Sequence, residues 1–411
     1  MPARSVTRAM PDRFRWRDGA RIHDAFGVAP DTGAVCVAEG QIAPCPPAPA
    51  LAAALASAEQ GAAFRIGAAG PVANDDAHPM FETLTSGSSG APRRIRRTQR
   101  SWIDSFAVNA RLFDIGPGVA VAVLGRLEHS LALYGALEAL HLGAELHLMA
   151  GLRPDRQMQA LAARGVAVLY ATPVQIRLML EAPRPGPAPG LRHMLVGGAK
   201  LDPATRAACR GAFPAAKVRE FYGAAETSFI AMSDDDTPEG AVGRPYQAVE
   251  ISIRDDADNP VPEGATGRIW VRSPYLFEGY AWAAATDTRW RDGWLTIGEH
   301  GALRDGQLHL VGRESRMITI SDQNVFPEEV EAFLLAQPGV TRAAVLARRD
   351  ARRGHVLDAV IAGDADTAAV LAACRAGLGP MKAPRRVAVR QDWPLLPSGK
   401  TDLAALERAL T

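Results

Sequence analysis

Four short apolar runs, VAVAVLG (119–125), GAELHLM (143–149), VAVLYAT (166–172) and LRHMLVGG (191–198), recur with helical stretches between them. Near-continuous apolar runs without polar alternation need cover on both faces, and a parallel sheet flanked by helices provides it. The rhythm predicts an α/β core over 81–248, preceded by an abbreviated first part over 1–80 that is rich in Ala and Pro. From about Val249 the pattern changes to closely spaced strands broken by turn residues, as in VEISIRDDADNPVPEGATGRIWVRSP, GWLTIG and GALRDGQLHLVGR. These predict a small antiparallel β-subdomain over 249–314, which completes a large N-terminal domain of mixed and parallel sheets, 1–314. Residues 315–411 follow as a small mobile α+β domain, with helices in PEEVEAFLLAQ and TAAVLAACRAGL and strands in RAAVLAR and RRVAVR.

Composition narrows the function by exclusion. With 411 residues and 47% hydrophobic content the chain can bury more than one core. Its 46 basic and 45 acidic side chains leave a formal charge of +1, so no field of one sign attracts nucleic acid or an anionic membrane. The expected partner is a small molecule in a local pocket. The four cysteines, Cys36, Cys45, Cys209 and Cys374, are dispersed and never paired as C-x-x-C, which fits a reducing cytoplasm. The first twenty residues carry many charges and no apolar h-region. The longest apolar stretch, from Leu131, is interrupted by Glu138, His141 and Glu145, and Gly143 divides it into a helix and a strand.

The stretch Thr85-Ser-Gly-Ser-Ser-Gly-Ala-Pro-Arg93 carries the strongest chemical signal. Gly87 and Gly90 allow close backbone approach, Thr85, Ser86, Ser88 and Ser89 offer hydroxyls and amides to phosphate oxygens, and Arg93, Arg94, Arg96 and Arg97 add charge. A Ser/Gly run is often only a flexible loop, but the preceding FETL strand and the cationic tail favour phosphate. A second stretch, Pro397-Ser-Gly-Lys-Thr401, imitates the end of a nucleotide P-loop, yet Pro394 stands where that motif requires glycine. It leaves Lys400 on a tight turn. His129 beside Ser130 lacks a G-x-S-x-G elbow, so a hydrolase pair is not indicated. Asp234, Asp235 and Asp236 read as a polar loop, and ARRDARRG (347–354) as a solvated loop whose charge could also meet a CoA phosphate or an acidic carrier protein.

Together these stretches resemble the acyl-adenylate-forming superfamily of acyl-CoA synthetases, aryl-acid ligases, peptide-synthetase adenylation domains and luciferases. TSGSSGAPR is similar to its phosphate loop, LEHS (127–130) to its acyl-site motif, GGAKL (197–201) to its adenine segment and FYGAAET (221–227) to its Tyr-Gly-x-Thr-Glu motif. GAVGRP (240–245), GATGRIWVRSPYLFEGY (264–280), IGEHG (297–301), GRESRMITISDQNVFPEEVE (312–331) and LPSGKTD (396–402) continue the series in family order.

The resemblance implies ATP and Mg²⁺ as cofactors, a carboxylic acid as substrate, and CoA or the phosphopantetheine of an acyl carrier protein as acceptor, in a monomer or homodimer. It implies Lys400 on the α-phosphate and carboxylate oxygens, Glu226 on Mg²⁺, and the 85–93 loop on phosphate. Tyr222, Gly223, Ala224, Ala225 and Gly197-Gly198-Ala199 would surround adenine, and Glu299 with Arg313 would bracket ribose. His129, Ser130, Leu133, Tyr134, Thr172 and Ser228 would face the acid, and Ser315 would be the hinge about which the C-terminal domain swings for the second half-reaction. Departures occur at Arg93 for lysine, Ala225 for threonine, Glu299 for aspartate, Ser315 for aspartate or lysine, and Asp322 for glycine. The N-terminal part is also shorter than in full-length relatives. His129 stands where amino-acid-activating relatives carry aspartate, which favours an aryl or medium-chain acid. A non-catalytic nucleotide- or partner-binding relative, and an adenylating enzyme with a non-thiol acceptor, are the alternatives.

Overall fold

A computed structural model describes residues 12–31, 36–75, 77–85, 93–182, 188–282, 287–321, 323–351, 353–396 and 400–410. The chain divides into two compact units, one of Met1–Gly198, Arg210–Phe229 and Ser273–Ala284, the other of Ala199–Cys209, Ile230–Arg272 and Ala285–Thr411.

In the first unit the four apolar runs become the parallel strands Ala120–Val123, Glu145–Leu148, Val168–Ala171 and His193–Val196. Lys217–Ala224 extends the sheet on one side, next to His193–Val196, and Arg21–Asp24 adds a parallel strand beside Glu145–Leu148. The last of these is short and polar, RIHD, and gives no periodic signal in the sequence. The helix Ser130–Leu142 is buried on nearly every side and ends at Gly143, whose φ of 88° lets the chain reverse into the strand Glu145–Leu148. Inside it Glu138 is fully buried. Its carboxyl receives the Tyr170 hydroxyl and Asn109 Nδ2, the latter at 2.9 Å. Burial raises its pKa to about 8, against the pull of these hydrogen bonds.

A second, antiparallel sheet in this unit joins Met80–Leu84, Arg94–Thr98 and Gly279–Trp282. Gly279–Trp282 falls within the 249–314 segment yet pairs with Arg94–Thr98. An aromatic cluster of Phe14, Phe64, Phe81, Trp102 and Phe106 packs nearby, with ring centroids 4.6–6.3 Å apart.

The second unit holds the antiparallel strands Ala241–Pro245, Gln307–Arg313, Glu299–Arg304, Gly267–Arg272, Trp294–Thr296 and Arg289–Arg291, with Glu250–Arg254 on Gly267–Arg272. Its C-terminal part packs the helices Pro327–Leu335 and Thr367–Lys382 on the sheet Val340–Asp350, Gly354–Gly363, Arg386–Val389 through Val330, Leu334, Val345, Leu357, Ile361 and Val370. One expectation is corrected here. The 347–354 stretch is not a loop throughout but the end of a long hairpin, on which Arg348 and Arg349 remain exposed while Arg348 and Arg386 converge on the buried Asp358 at 2.8 and 2.9 Å. Among the described residues no helix is long and apolar enough to cross a membrane.

Candidate active site

The phosphate-type loop is closed at its neck. Leu84 and Arg94 form the last register pair, the Thr85 amide donates to the Arg93 carbonyl at 3.0 Å, and the Arg93 amide donates to Thr85 Oγ1 at 2.9 Å. Ser86, Gly87, Ser88, Ser89 and Gly90 lie outside the described residues. Three of the cations after the loop, Arg94, Arg96 and Arg97, are engaged by other groups of the protein. Arg94 forms two hydrogen bonds to Glu82, a 2% exposed carboxylate that also pairs with the fully buried Arg65. Arg96 turns toward Asp75 and the Asn74 carbonyl. Arg97 is fully buried, and Arg93 stacks its guanidinium over the Tyr280 ring, 6.0 Å from the centroid.

The FYGAAET segment forms a tight reversal between the strands Lys217–Ala224 and Ser228–Met232. A Cβ on Gly223 would collide with the Ser228 carbonyl, so only glycine lets the two strands approach this closely. The Ala224 amide donates to Thr227 Oγ1 at 3.0 Å, and the Thr227 amide returns to the Ala224 carbonyl at 3.2 Å. Glu226 projects from this turn with 8% exposure. Its Oε1 accepts the Tyr280 hydroxyl at 2.8 Å, and its own carbonyl accepts the Phe277 amide at 2.9 Å. Beneath the turn Arg97 donates to the Ala225 carbonyl at 2.5 Å, to Ser228 Oγ at 2.8 Å and to the Tyr275 carbonyl. Burial lowers the Arg97 pKa to about 9, while Glu226 and Glu278 pull it back up. In the sequence Arg97 reads only as one of the cations after the 85–93 loop and Tyr280 only as part of the 264–280 motif, so neither is marked as a support for Glu226.

The expected acid-facing residues are only partly available to a ligand. His129 precedes the helix Ser130–Leu142 in extended conformation, and its buried Nδ1 has no hydrogen-bond partner among the described residues. Burial holds its imidazole below the ordinary histidine range. Ser130 Oγ instead meets Thr83 Oγ1 at 2.9 Å and the Leu84 carbonyl at 3.1 Å. Leu133 is core, and the Tyr134 hydroxyl turns inward to Ser105 and Asn109. Thr172 caps the helix Pro173–Glu181 in a capping box with Gln175, and Ser228 Oγ takes Arg97 and the Trp102 indole at 3.2 Å. The hydroxyls of Ser130, Tyr134, Thr172 and Ser228 each bond to the protein framework. Phe221 is a residue the sequence reading passes over. Its ring covers Gly197 so closely that any side chain there would overlap it, and it meets Phe229 edge to face at 4.7 Å. Gly198, at φ +89°, lies beside the Thr172 methyl, and the half-buried Tyr222 has a hydroxyl without a partner among the described residues.

In the second unit, which begins with Ala199, Glu299 and Arg313 are register partners on adjacent strands. Arg313 Nη2 lies 2.6 Å from Glu299 Oε1, while Glu299 Oε2 is buried without a partner among the described residues. Ser315 sits in a single 3₁₀ turn, Glu314–Arg316. Glu314 is tied to Arg268 and Arg289 on one side, and Arg316 to Glu328 and Glu331 on the other. Lys400 is half-buried, its carbonyl accepts the Leu396 amide at 2.8 Å, and Leu395 bridges to Thr401. Residues 397–399 and Asp322 lie outside the described residues.

Residues 24–281 match the family described as AMP-binding enzyme, and residues 329–400 its C-terminal domain. The chain is 32% identical over 330 residues to the uncharacterized acyl-CoA ligase YhfT of Bacillus subtilis, covering 79% of this chain and 67% of that protein. It is 31% identical over 351 residues to triostin synthetase I of Streptomyces triostinicus, covering 82% and 66%. The structure of the amide bond synthetase McbA from Marinactinospora thermotolerans is similar with a TM-score of 0.73 at 27% identity, covering 84% of this chain and 75% of that one. The chain belongs to the AMP-binding enzyme family, the acyl-adenylate-forming superfamily.

Proposed function

We propose that this chain activates a carboxylic acid with ATP as its acyl-adenylate, releasing pyrophosphate, and passes the acyl group to the thiol of CoA or of carrier-protein phosphopantetheine. The observation that carries the reading is Glu226, a buried carboxylate held on a glycine-dependent turn by Tyr280. A carboxylate so fixed is a hard oxygen donor of the kind Mg²⁺ takes, and the bound ion would supply charge neutralisation on the triphosphate. Glu299 adds a buried oxygen, without a partner among the described residues, suited to a ribose hydroxyl, with Arg313 holding its other oxygen. Tyr222, Gly223, Ala224, Ala225 and the Gly197-Gly198-Ala199 backbone flank adenine, while Thr85, Arg93 and the loop between them take phosphate. Lys400 stabilises negative charge as the acid's carboxylate oxygen attacks the α-phosphorus and pyrophosphate leaves. Residues 315–411 act as the lid, turning about Ser315 between the two half-reactions.

The acid is aryl or medium-chain. The half-buried Phe221 ring over Gly197 supplies apolar surface, and His129, held below the ordinary histidine range by burial, offers no counter-charge to an α-ammonium group. The test is acid-dependent exchange of pyrophosphate into ATP over a panel of aryl and fatty acids with Mg²⁺. Exchange with at least one acid, reduced about a hundredfold or more by Lys400→Ala, is expected. Folded protein that binds ATP equally well with and without Lys400 and exchanges nothing would instead be a non-catalytic relative. The amide bond synthetase likeness favours one second reading, an amine acceptor. It predicts amide product, and no thioester, when amines compete with CoA and a holo carrier protein.

A further inference from the structure

Parallel register sets His23 directly beside His147 on the neighbouring strand, with Arg21 beside Glu145. Side chains alternate along a strand, so Glu145 and His147 share a face, and His23 joins them from the adjacent strand. The two imidazoles stack with centroids 4.5 Å apart and planes 13° from parallel, and His23 Nε2 lies 3.7 Å from Glu145 Oε2. One ligand atom from each of the three lies within 4.8 Å of the others. His147 is 2% exposed and its Nε2 has no hydrogen-bond partner among the described residues, and His23 Nε2 likewise has none. Two buried ring nitrogens without partners are a cost that burial alone does not explain.

We propose that His23, Glu145 and His147 form a site for a borderline divalent metal ion, Zn²⁺ or Co²⁺, separate from the residues assigned to ATP and acid. Two imidazoles and one carboxylate are the donor set that such ions take, with a fourth position left to water. Donors bound to one ion at about 2.1 Å stand about 3.4 Å apart, so closing the shell from separations of at most 4.8 Å takes a shift of up to about 1.4 Å. The movable partners are His23 and Glu145, whose side chains are 39% and 37% exposed. Arg164 acts as a brake. Its Nη1 lies 3.3 Å from His147 Nδ1, and because a guanidinium only donates, Nδ1 accepts and the ring proton sits on Nε2. Metal binding at Nε2 moves that proton to Nδ1, which then has to part from Arg164. Arg164 is exposed and can turn to solvent.

The test titrates chelator-stripped full-length protein with Co²⁺ by visible absorbance and with Zn²⁺ by calorimetry, both in excess Mg²⁺. One equivalent is expected, with a Co²⁺ spectrum of low coordination number and a higher melting temperature in Zn²⁺. His23→Ala and Glu145→Gln, both at partly exposed positions, should each weaken binding at least about tenfold, whereas Arg164→Gln should tighten it several-fold. Binding unchanged in both ligand variants, or no bound equivalent in the folded wild type, would overturn the site and leave the histidine pair as packing. None of these readouts uses adenylation activity, so they stand or fall apart from the proposed function.

Discussion

The Tyr280 hydroxyl donates a 2.8 Å hydrogen bond to Oε1 of Glu226, joining residues 54 positions apart. The same segment returns a backbone bond from the Phe277 amide to the Glu226 carbonyl, so the Glu226 carboxylate is oriented by both its main chain and its side chain. Tyr280→Phe keeps the ring against Phe277, 5.1 Å away, and removes only the hydroxyl. A hydrogen bond to a charged group contributes about 1.5–3 kcal/mol. The Mg²⁺ concentration for half-maximal pyrophosphate exchange should rise about tenfold. An unchanged Mg²⁺ dependence would remove Tyr280 from the site.

Arg97 should matter first for stability. Replacing it with methionine leaves the Ala225 and Tyr275 carbonyls without their donor, at about 1–3 kcal/mol for each buried group left unpaired. Urea unfolding should show a loss of about 2–5 kcal/mol. Exchange activity should fall as well, because the turn carrying Glu226 rests on this guanidinium. Full stability in the variant would mean that water replaces the donor.

Glu138 makes stability depend on pH in an unusual direction. Its folded pKa, about 8, lies above the ordinary carboxylate value of 4.5, so the folded state keeps a proton that the unfolded state gives up. Its favourable contribution is complete below about pH 4.5 and is lost as pH rises toward 8, at up to about 1.4 kcal/mol per pH unit. Glu138→Gln preserves an acceptor for Asn109 and should flatten this part of the stability profile, leaving the variant more stable than wild type at pH 8. A profile from pH 5 to 8 that the substitution does not change would refute the assignment.

Glu299 and Arg313 form a pair in which one carboxylate oxygen is bound and the other has no partner among the described residues. Glu299→Gln should raise the KM for ATP about tenfold through loss of a charged acceptor, with a smaller effect on kcat. Arg313 is 43% exposed, so the lost ion pair itself should change stability by less than about 1 kcal/mol. Steady-state exchange at varied ATP separates the two effects.

Much of the fold was legible because local pattern carried it. The runs at 119–125, 143–149, 166–172 and 191–198 are too apolar to face water, and they form adjacent parallel strands. Asp305-Gly306 closes the Glu299–Arg304 and Gln307–Arg313 hairpin with φ of 51° and 71°, as an Asp-Gly turn demands. The ordered motifs around Thr85, Glu226, Glu299 and Lys400 carried the family. What local pattern could not carry was the destination of each polar atom. Arg94 and Arg97 look like phosphate cations in sequence, but tertiary structure buries them against Glu82 and against the Ala225 and Tyr275 carbonyls. Ser130, Tyr134 and Ser228 look like ligand hydroxyls, but they bond to the framework. His23 and His147 become neighbours only because a short polar strand adds to the sheet edge. An apolar run is driven inward by its own transfer free energy, so sequence alone reveals its burial. A buried polar group is tolerated only where a partner meets it, and partners distant in sequence are brought together by tertiary structure alone.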